Sequence, residues 1–141
     1  MRDIFKYEKR YKYPHMKPFD REIWERFIEK FPDAYDTCQY DFNVGDAPPF
    51  NPMGDNDEDL NQDALYRLKI DVIGHKNGKI DIIELKPKAG PSTIGQVKGY
   101  QHLYMRDEES KITPGLIIIT DQLMPNMDFL AKQEGVKIIV V

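Results

Sequence analysis

This chain is poor in the features that would point to a secreted, membrane-bound or repetitive protein. Its 141 residues contain one cysteine, Cys38. An internal disulfide and a cysteine-based zinc site are therefore excluded, and a reducing cytoplasmic setting is expected. No apolar run approaches the ~18 residues needed to cross a bilayer. The first ten residues, with Arg2, Asp3, Lys6, Glu8, Lys9 and Arg10, lack the uninterrupted apolar segment of a signal peptide. No internal repeat or second domain is visible, so residues 1–141 are expected to form a single domain around one core. Hydrophobic residues at 40% and charged ones at 31% exclude disorder as the general state of the chain.

Positive charge is also absent from one long stretch. Between Asp33 and Asp63 there are nine acids and no Lys or Arg, whereas residues 1–17 carry six basic residues against Asp3 and Glu8. The net charge of −4 thus hides a basic N-terminal arm, an acidic middle and a second basic region from Lys69 to Lys98. Residues 1–18 read as an extended arm in which Tyr7, Tyr11 and Tyr13 alternate with cations. Such an arm can stack bases and neutralise phosphates, or it can pin itself to its own protein. Residues 45–63, with three prolines and an acidic run, read as a long loop. Asp55 to Asp59 begins like a calcium loop but lacks the glycine and glutamate that would complete one, so a solvated acidic loop is expected.

The most informative segment runs from Tyr66 to Lys88. Two β-branched runs flank Asn77-Gly78, the strongest short hairpin signal. If those two residues are the whole loop, Lys76 faces Lys79, Asp71 faces Glu84, and Ile70 faces Leu85. Two carboxylates so placed have Cβ atoms roughly 4.5–5.5 Å apart and repel. A divalent cation between them would relieve that cost, since Mg²⁺ is held by one or two carboxylates plus phosphate oxygens. Lys86 falls on the same face as Glu84, because strand side chains alternate.

Around the hairpin, Ile23, Trp24, Phe27, Ile28 and Phe31 form an apolar helical stripe. The helix is expected to start at Asp20 as N-cap, with Phe19 and Trp24 as a hydrophobic staple. At ~100° per residue, Asp20 is also the carboxylate of this helix nearest the centre of the stripe. Tyr35 to Val44 reads as a strand with Tyr40, Phe42 and Val44 on one face. A helix capped by Ser92 or Thr93 should run to about Arg106, with Gln96 and Tyr100 on one face. Thr93 and Gln96 also fit a capping box. Leu116 to Thr120 reads as a buried strand, followed by a helix near Met124 to Gln133 and a last strand from Val136. The order is α-β-β-β-α-β-α-β, an α/β domain with a mixed central sheet flanked by helices.

Asp71 followed by Glu84-Leu85-Lys86 on the next strand resembles the signature of the PD-(D/E)XK nuclease superfamily. Gln96-x-x-x-Tyr100 resembles the helix motif of its RecB-like branch. The resemblance spans about residues 65–105; Ile70 stands where proline often precedes the aspartate. It implies a restriction-endonuclease-like core and Mg²⁺- or Mn²⁺-dependent hydrolysis of DNA by a phage or bacterial protein. Asp71, Glu84 and the Leu85 main-chain carbonyl would ligate the metal, with Asp20 as a further candidate. Lys86 would orient the attacking water. Gln96 and Tyr100 would steady the DNA backbone or that water, and Lys88 would add a phosphate contact. The expected partner is DNA rather than a membrane, and a homodimer is compatible with the resemblance. Two rivals are a nuclease-fold protein that binds DNA ends or assembles without turnover, in a phage particle or repair complex, and an acidic DNA mimic.

Overall fold

The computed structural model describes residues 3–46 and 68–141. Most of the expected 45–63 loop, including the Asp55–Asp59 run, lies outside them, as do residues 1 and 2. The described elements are β1 (Phe5–Lys6), α1 (Pro18–Lys30), β2 (Thr37–Val44), β3 (Leu68–Lys76), β4 (Lys79–Leu85), α2 (Pro91–Asp107), β5 (Gly115–Thr120), α3 (Met127–Gln133) and β6 (Val136–Val140). Apart from the short β1, this is the expected order. Among these residues no helix is long and apolar enough to cross a membrane.

The six strands form one mixed sheet in sequence order. β1 to β4 are antiparallel, and β4, β5 and β6 are parallel. α2 serves as the crossover that the parallel β4–β5 pair requires. The fold is α/β with a restriction-endonuclease-like core. α1 covers one face, where Ile23, Trp24 and Phe27 pack with Val72, Ile83, Ile117 and Ile119. α2 and α3 cover the other, with Val97, Tyr100 and Met127 against Ile73, Ile82 and Ile118. The β4 and β5 side chains are buried on both sides, which explains the near-continuous apolar runs Ile80–Leu85 and Leu116–Ile119. The indole N–H of Trp24 donates to the Tyr40 hydroxyl at 3.0 Å, so the largest buried side chain of α1 is also satisfied.

The hairpin has the expected two-residue turn. Asn77 and Gly78 both have positive φ, 50° and 79°, and Lys76 pairs with Lys79. Two positive φ values in succession give the turn whose twist matches that of the strands.

Both long helices start earlier than expected, for one reason. Proline at the first helical position loses no hydrogen bond and has its φ preset. Pro18 therefore starts α1 after Lys17, and Pro91 starts α2 after Gly90. Asp20 is the third residue of α1 and not its cap. Phe19 is exposed, so the staple with Trp24 is not made, and Phe31 lies just past the helix and is exposed too. In α2 the capping box between Thr93 and Gln96 is likewise not formed; Thr93 is buried inside the first turn.

β2 departs from strict alternation. Cys38 and Tyr40 face α1, but Phe42 and Val44 face α2. Asp41 between them has φ 51°, in the left-handed region, and this resets the side-chain phase. On β3 the same exchange occurs, with Val72 on the α1 side and Ile70 on the α2 side. The expectation that Tyr40, Phe42 and Val44 share a face is corrected accordingly.

The arm is fastened to the domain. Tyr7 and Tyr13 are buried; the Tyr7 hydroxyl donates to the Phe31 carbonyl at 2.6 Å, and the Tyr13 hydroxyl donates to Glu25 Oε2 at 3.1 Å. Self-pinning therefore accounts for these two, while Tyr11 is exposed.

Gly74 shows how tightly the hairpin is packed. A Cβ at this position would lie 2.5 Å from Cδ1 of the buried Tyr35 ring. That ring is held by its hydroxyl, which donates to Asp81 Oδ2 at 2.7 Å. Gly74→Ala is expected to cost about 1–3 kcal/mol, the usual range for overpacking. Thermal melting checks this, and adding Tyr35→Leu should recover part of the loss.

Candidate active site

β3 and β4 pair from the turn only as far as Val72 and Ile83. Beyond that point β3 stays with β2 through Ile70, Lys69 and Leu68. β4 continues beside β5 through Glu84 and Leu85. The two middle strands part, and the register carried one step further sets Asp71 against Glu84. Leu85, left without a β3 main-chain partner, donates its N–H to Asp71 Oδ2 at 2.8 Å. The next residue, Lys86, donates its N–H the other way, to Ile119 of β5 at 3.0 Å. Along an extended strand successive residues turn their main-chain groups to opposite sides, so with Lys86 bonded to β5 the Leu85 carbonyl is expected on the Asp71 side.

Glu84 is only 7% exposed, and its Oε2 has no hydrogen-bond partner among the described residues. Burial pushes its carboxyl well above the usual carboxylate range, and the Asp71 charge pushes it further. Asp71 is raised by burial too, partly offset by the hydrogen bond from Leu85. Without a cation, the pair is more basic than free carboxylates. A buried carboxylate oxygen without a donor is costly unless a proton or an ion satisfies it.

A cleft of about 540 Å³ opens over the pair. Its walls come from the arm (His15), the start of α1 (Lys17, Phe19, Asp20), β2 (Asp41), β3 (Leu68, Lys69, Asp71), the end of β4 with Lys86 and Pro87, and α2 (Gln96, Tyr100). Asp20, Asp71, Glu84, Leu85, Lys86, Gln96 and Tyr100 are thereby brought together. Lys88 is not part of the cleft lining; it is exposed and forms an isolated bridge with Gln122.

With capping removed as its explanation, Asp20 stands as a partly buried carboxylate at the cleft. Its carboxyl is raised by burial and lowered by Lys17 and Lys86. Its charge in turn raises both Asp71 and Glu84. Gln96 donates its side-chain N–H to the Tyr100 hydroxyl at 2.6 Å, and Tyr100 is buried with its hydroxyl raised first by burial and then by Glu84. The amide and the phenol thus form one unit beside the carboxylates.

Lys17 of the basic arm and Lys69 of the second basic region, both expected on a phosphate-facing surface, also line the cleft, and two polar residues there, His15 and Asp41, have no such signal in the sequence. Asp41 lies across the β2–β3 ladder from Asp71, and its charge helps raise that carboxyl. Lys69 Nζ and His15 Nε2 approach Asp41 Oδ2 at 3.8 and 4.0 Å. An aspartate between Tyr40 and Phe42 reads as the solvent side of a strand. Only its tolerance of the left-handed region distinguishes it from other polar residues there.

Among the described residues, no group of three or more His, Cys, Asp or Glu side chains forms a ready-made metal cage. The donor set is two adjacent carboxylates, one of them with an unsatisfied oxygen, next to a main-chain carbonyl. That set suits a hard ion which keeps waters and takes substrate oxygens.

The sheet order and the helices on its two faces define a restriction-endonuclease-like fold. A repair endonuclease from Pyrococcus abyssi superposes with a TM-score of 0.52 at 18% identity, over 95% of this chain and 49% of the other. The EndoMS-dsDNA2 complex gives 0.48 at 15% identity, over 95% and 48%. This chain thus spans about half the length of either structure. No family model and no curated protein matches its sequence.

Proposed function

We propose that this chain is a metal-dependent deoxyribonuclease of the PD-(D/E)XK type with a RecB-like helix motif. The observation that carries this reading is the buried Asp71–Glu84 pair, with its unpartnered Glu84 oxygen, beside Lys86 where two strands part. A structure of like fold is a repair endonuclease, which agrees with DNA as the substrate.

Asp71, Glu84 and the Leu85 carbonyl would hold Mg²⁺ or Mn²⁺, with Asp20 near enough to bear on the same charge. The ion would supply Lewis acidity toward the scissile phosphate and lower the pKa of a nearby water. Lys86 holds the attacking water in line and offsets negative charge as the phosphate becomes five-coordinate. Tyr100, fixed by Gln96, limits where that water or a phosphate oxygen can sit. Lys17 and Lys69 at the cleft are placed to meet flanking phosphates.

The deciding experiment incubates the protein with plasmid, linear and single-stranded DNA, with and without Mg²⁺ or Mn²⁺. Metal-dependent cutting supports the enzyme. DNA binding without cutting under any metal would leave a nuclease-fold protein that binds or assembles without turnover.

Binding should also depend on salt. Three lysines, Lys17, Lys69 and Lys86, line the cleft. If each meets one phosphate, the slope of log K against log salt is about −2 for single strands and −3 for duplex. Affinity would then fall roughly 20- to 40-fold between 50 and 200 mM salt. A flat response in a fluorescence-anisotropy titration would remove DNA as the partner of this cleft.

A further inference from the structure

Phe19 belongs to the apolar stripe of α1, but among the described residues no core lies beneath it. It lies one turn before Ile23, on the same side of the helix. Ile23 is fully buried against the sheet, whereas Phe19 is 69% exposed. The difference is one of position along the sheet. Ile23 sits over paired strands, and Phe19 overhangs the cleft next to Asp20, where β3 and β4 have separated. A phenyl ring held in water at the mouth of a cleft forgoes the burial that its neighbours one turn on achieve. Lys17 and Lys69 line the same cleft.

An aromatic face beside a cationic track is the combination that holds single-stranded nucleic acid, because every base has a stackable face whatever its identity. In a closed duplex both faces of each base pair are already covered by neighbours, so such a ring has nothing to stack on. An unpaired base, or the last pair at an end, leaves one face open. We propose that Phe19 is a stacking platform for such a base, so that the cleft takes single-stranded or end-bearing DNA in preference to closed duplex. This rests on the nuclease reading of the same cleft. In that arrangement Phe19 is a positioning residue: it fixes one nucleotide while the phosphate a short way along the strand reaches Asp71, Glu84 and Lys86.

The test measures binding in Mg²⁺ with Lys86→Ala in every arm, so that DNA stays intact. A labelled single-stranded oligonucleotide is titrated by anisotropy, and relaxed closed-circular duplex serves as competitor. Phe19→Ala should weaken single-strand binding roughly 5- to 150-fold, the range for loss of one base–aromatic stack. Affinity for the closed duplex should change less than about twofold, because no stack is lost there. Phe19→Trp should restore single-strand binding and Phe19→Leu should not, since leucine keeps the apolar bulk without the ring face. Melting temperatures should be unchanged across the series, as expected for an exposed side chain. Equal losses on both DNA forms, rescue by leucine, or a fall in melting temperature comparable to a core substitution would overturn the proposal. Wild-type cutting is assayed in parallel. If the wild type cuts with Mg²⁺ and Phe19→Ala binds single strands normally, the platform alone is wrong; if the wild type neither binds nor cuts, the nuclease reading falls with it.

Discussion

Lys86→Ala should give a protein that is stabilised by Mg²⁺ as well as the wild type is but cuts DNA at least about 100- to 1000-fold more slowly, the usual consequence of removing one charge-stabilising group from a transition state. An ammonium group cannot ligate a cation, so both carboxylates and the Leu85 carbonyl remain available. The substitution is structurally mild. Lys86 is exposed just past β4, and its contribution to the sheet is the main-chain bond to Ile119, which alanine retains. Lys88→Ala is the matched control two residues on, outside the cleft lining, and should leave the cutting rate at saturating DNA within about threefold of the wild type. Melting curves with and without Mg²⁺, beside a cutting assay, separate the outcomes. Normal cutting by the Lys86 variant would remove this residue from the mechanism.

Asp71→Asn should act on metal and chemistry together. It removes one of the two anionic ligands, so both the Mg²⁺-dependent rise in melting temperature and the cutting should be lost. The amide oxygen of asparagine can still accept the Leu85 N–H, so the hairpin end keeps its connection. In metal-free buffer the variant should melt higher than the wild type at neutral and alkaline pH. Both carboxyls are raised in the folded state, chiefly by burial, so folding favours their protonated forms. The stability this contributes is complete below the ordinary carboxylate pKa of the unfolded chain, about 4, and is lost as pH rises through the raised folded values. The wild type without metal should therefore lose stability as pH climbs above the ordinary carboxylate range, and Mg²⁺ should counter that loss most at the alkaline end. Relief of about 1 kcal/mol would shift the melting point by roughly 2–4 °C for a domain near this size. A metal-free melting point that stays flat with pH, and does not rise in Asp71→Asn, would show that the pair carries no such strain.

The parts of this site visible in the sequence are those with local causes. Asn77-Gly78 sets the turn, the turn sets the register, and the register brings Asp71 and Glu84 together without reference to the rest of the chain. The stripe of α1 and the apolar run of β5 were legible because helical and strand periods leave different spacings. The starts of α1 and α2 differ from the expected caps at Asp20 and Ser92 or Thr93 because proline at a first helical position, here Pro18 and Pro91, is an initiator. That difference has consequences for the site, since the expected caps gave Asp20 and Gln96 explanations that the structure removes. The approach of His15 and Lys69 to Asp41 is not legible in the sequence, because it depends on a phase reversal in β2 and on the path of the arm, neither of which has a periodic signature. The parting of β3 from β4 has no local signature either; an ideal register continues to Ile70 and Leu85, and the ladder stops short of them.

That parting has a bearing on how such a chain could change over generations. The notch is made by main chain, as two strands leave one another, and it would persist if every acid in it were replaced. The acids are held there against the folded state's own preference, so substitutions that discard them are expected to make the domain sturdier, not weaker. A lineage released from any need to cut would therefore shed its carboxylates early and keep the groove. Such a descendant would be a DNA-holding protein with an unchanged silhouette, reached by single steps that each leave a well-folded molecule. Of the residues at this notch, Asp71 and Glu84 are the two that such a drift would be expected to remove first, since both are buried carboxylates.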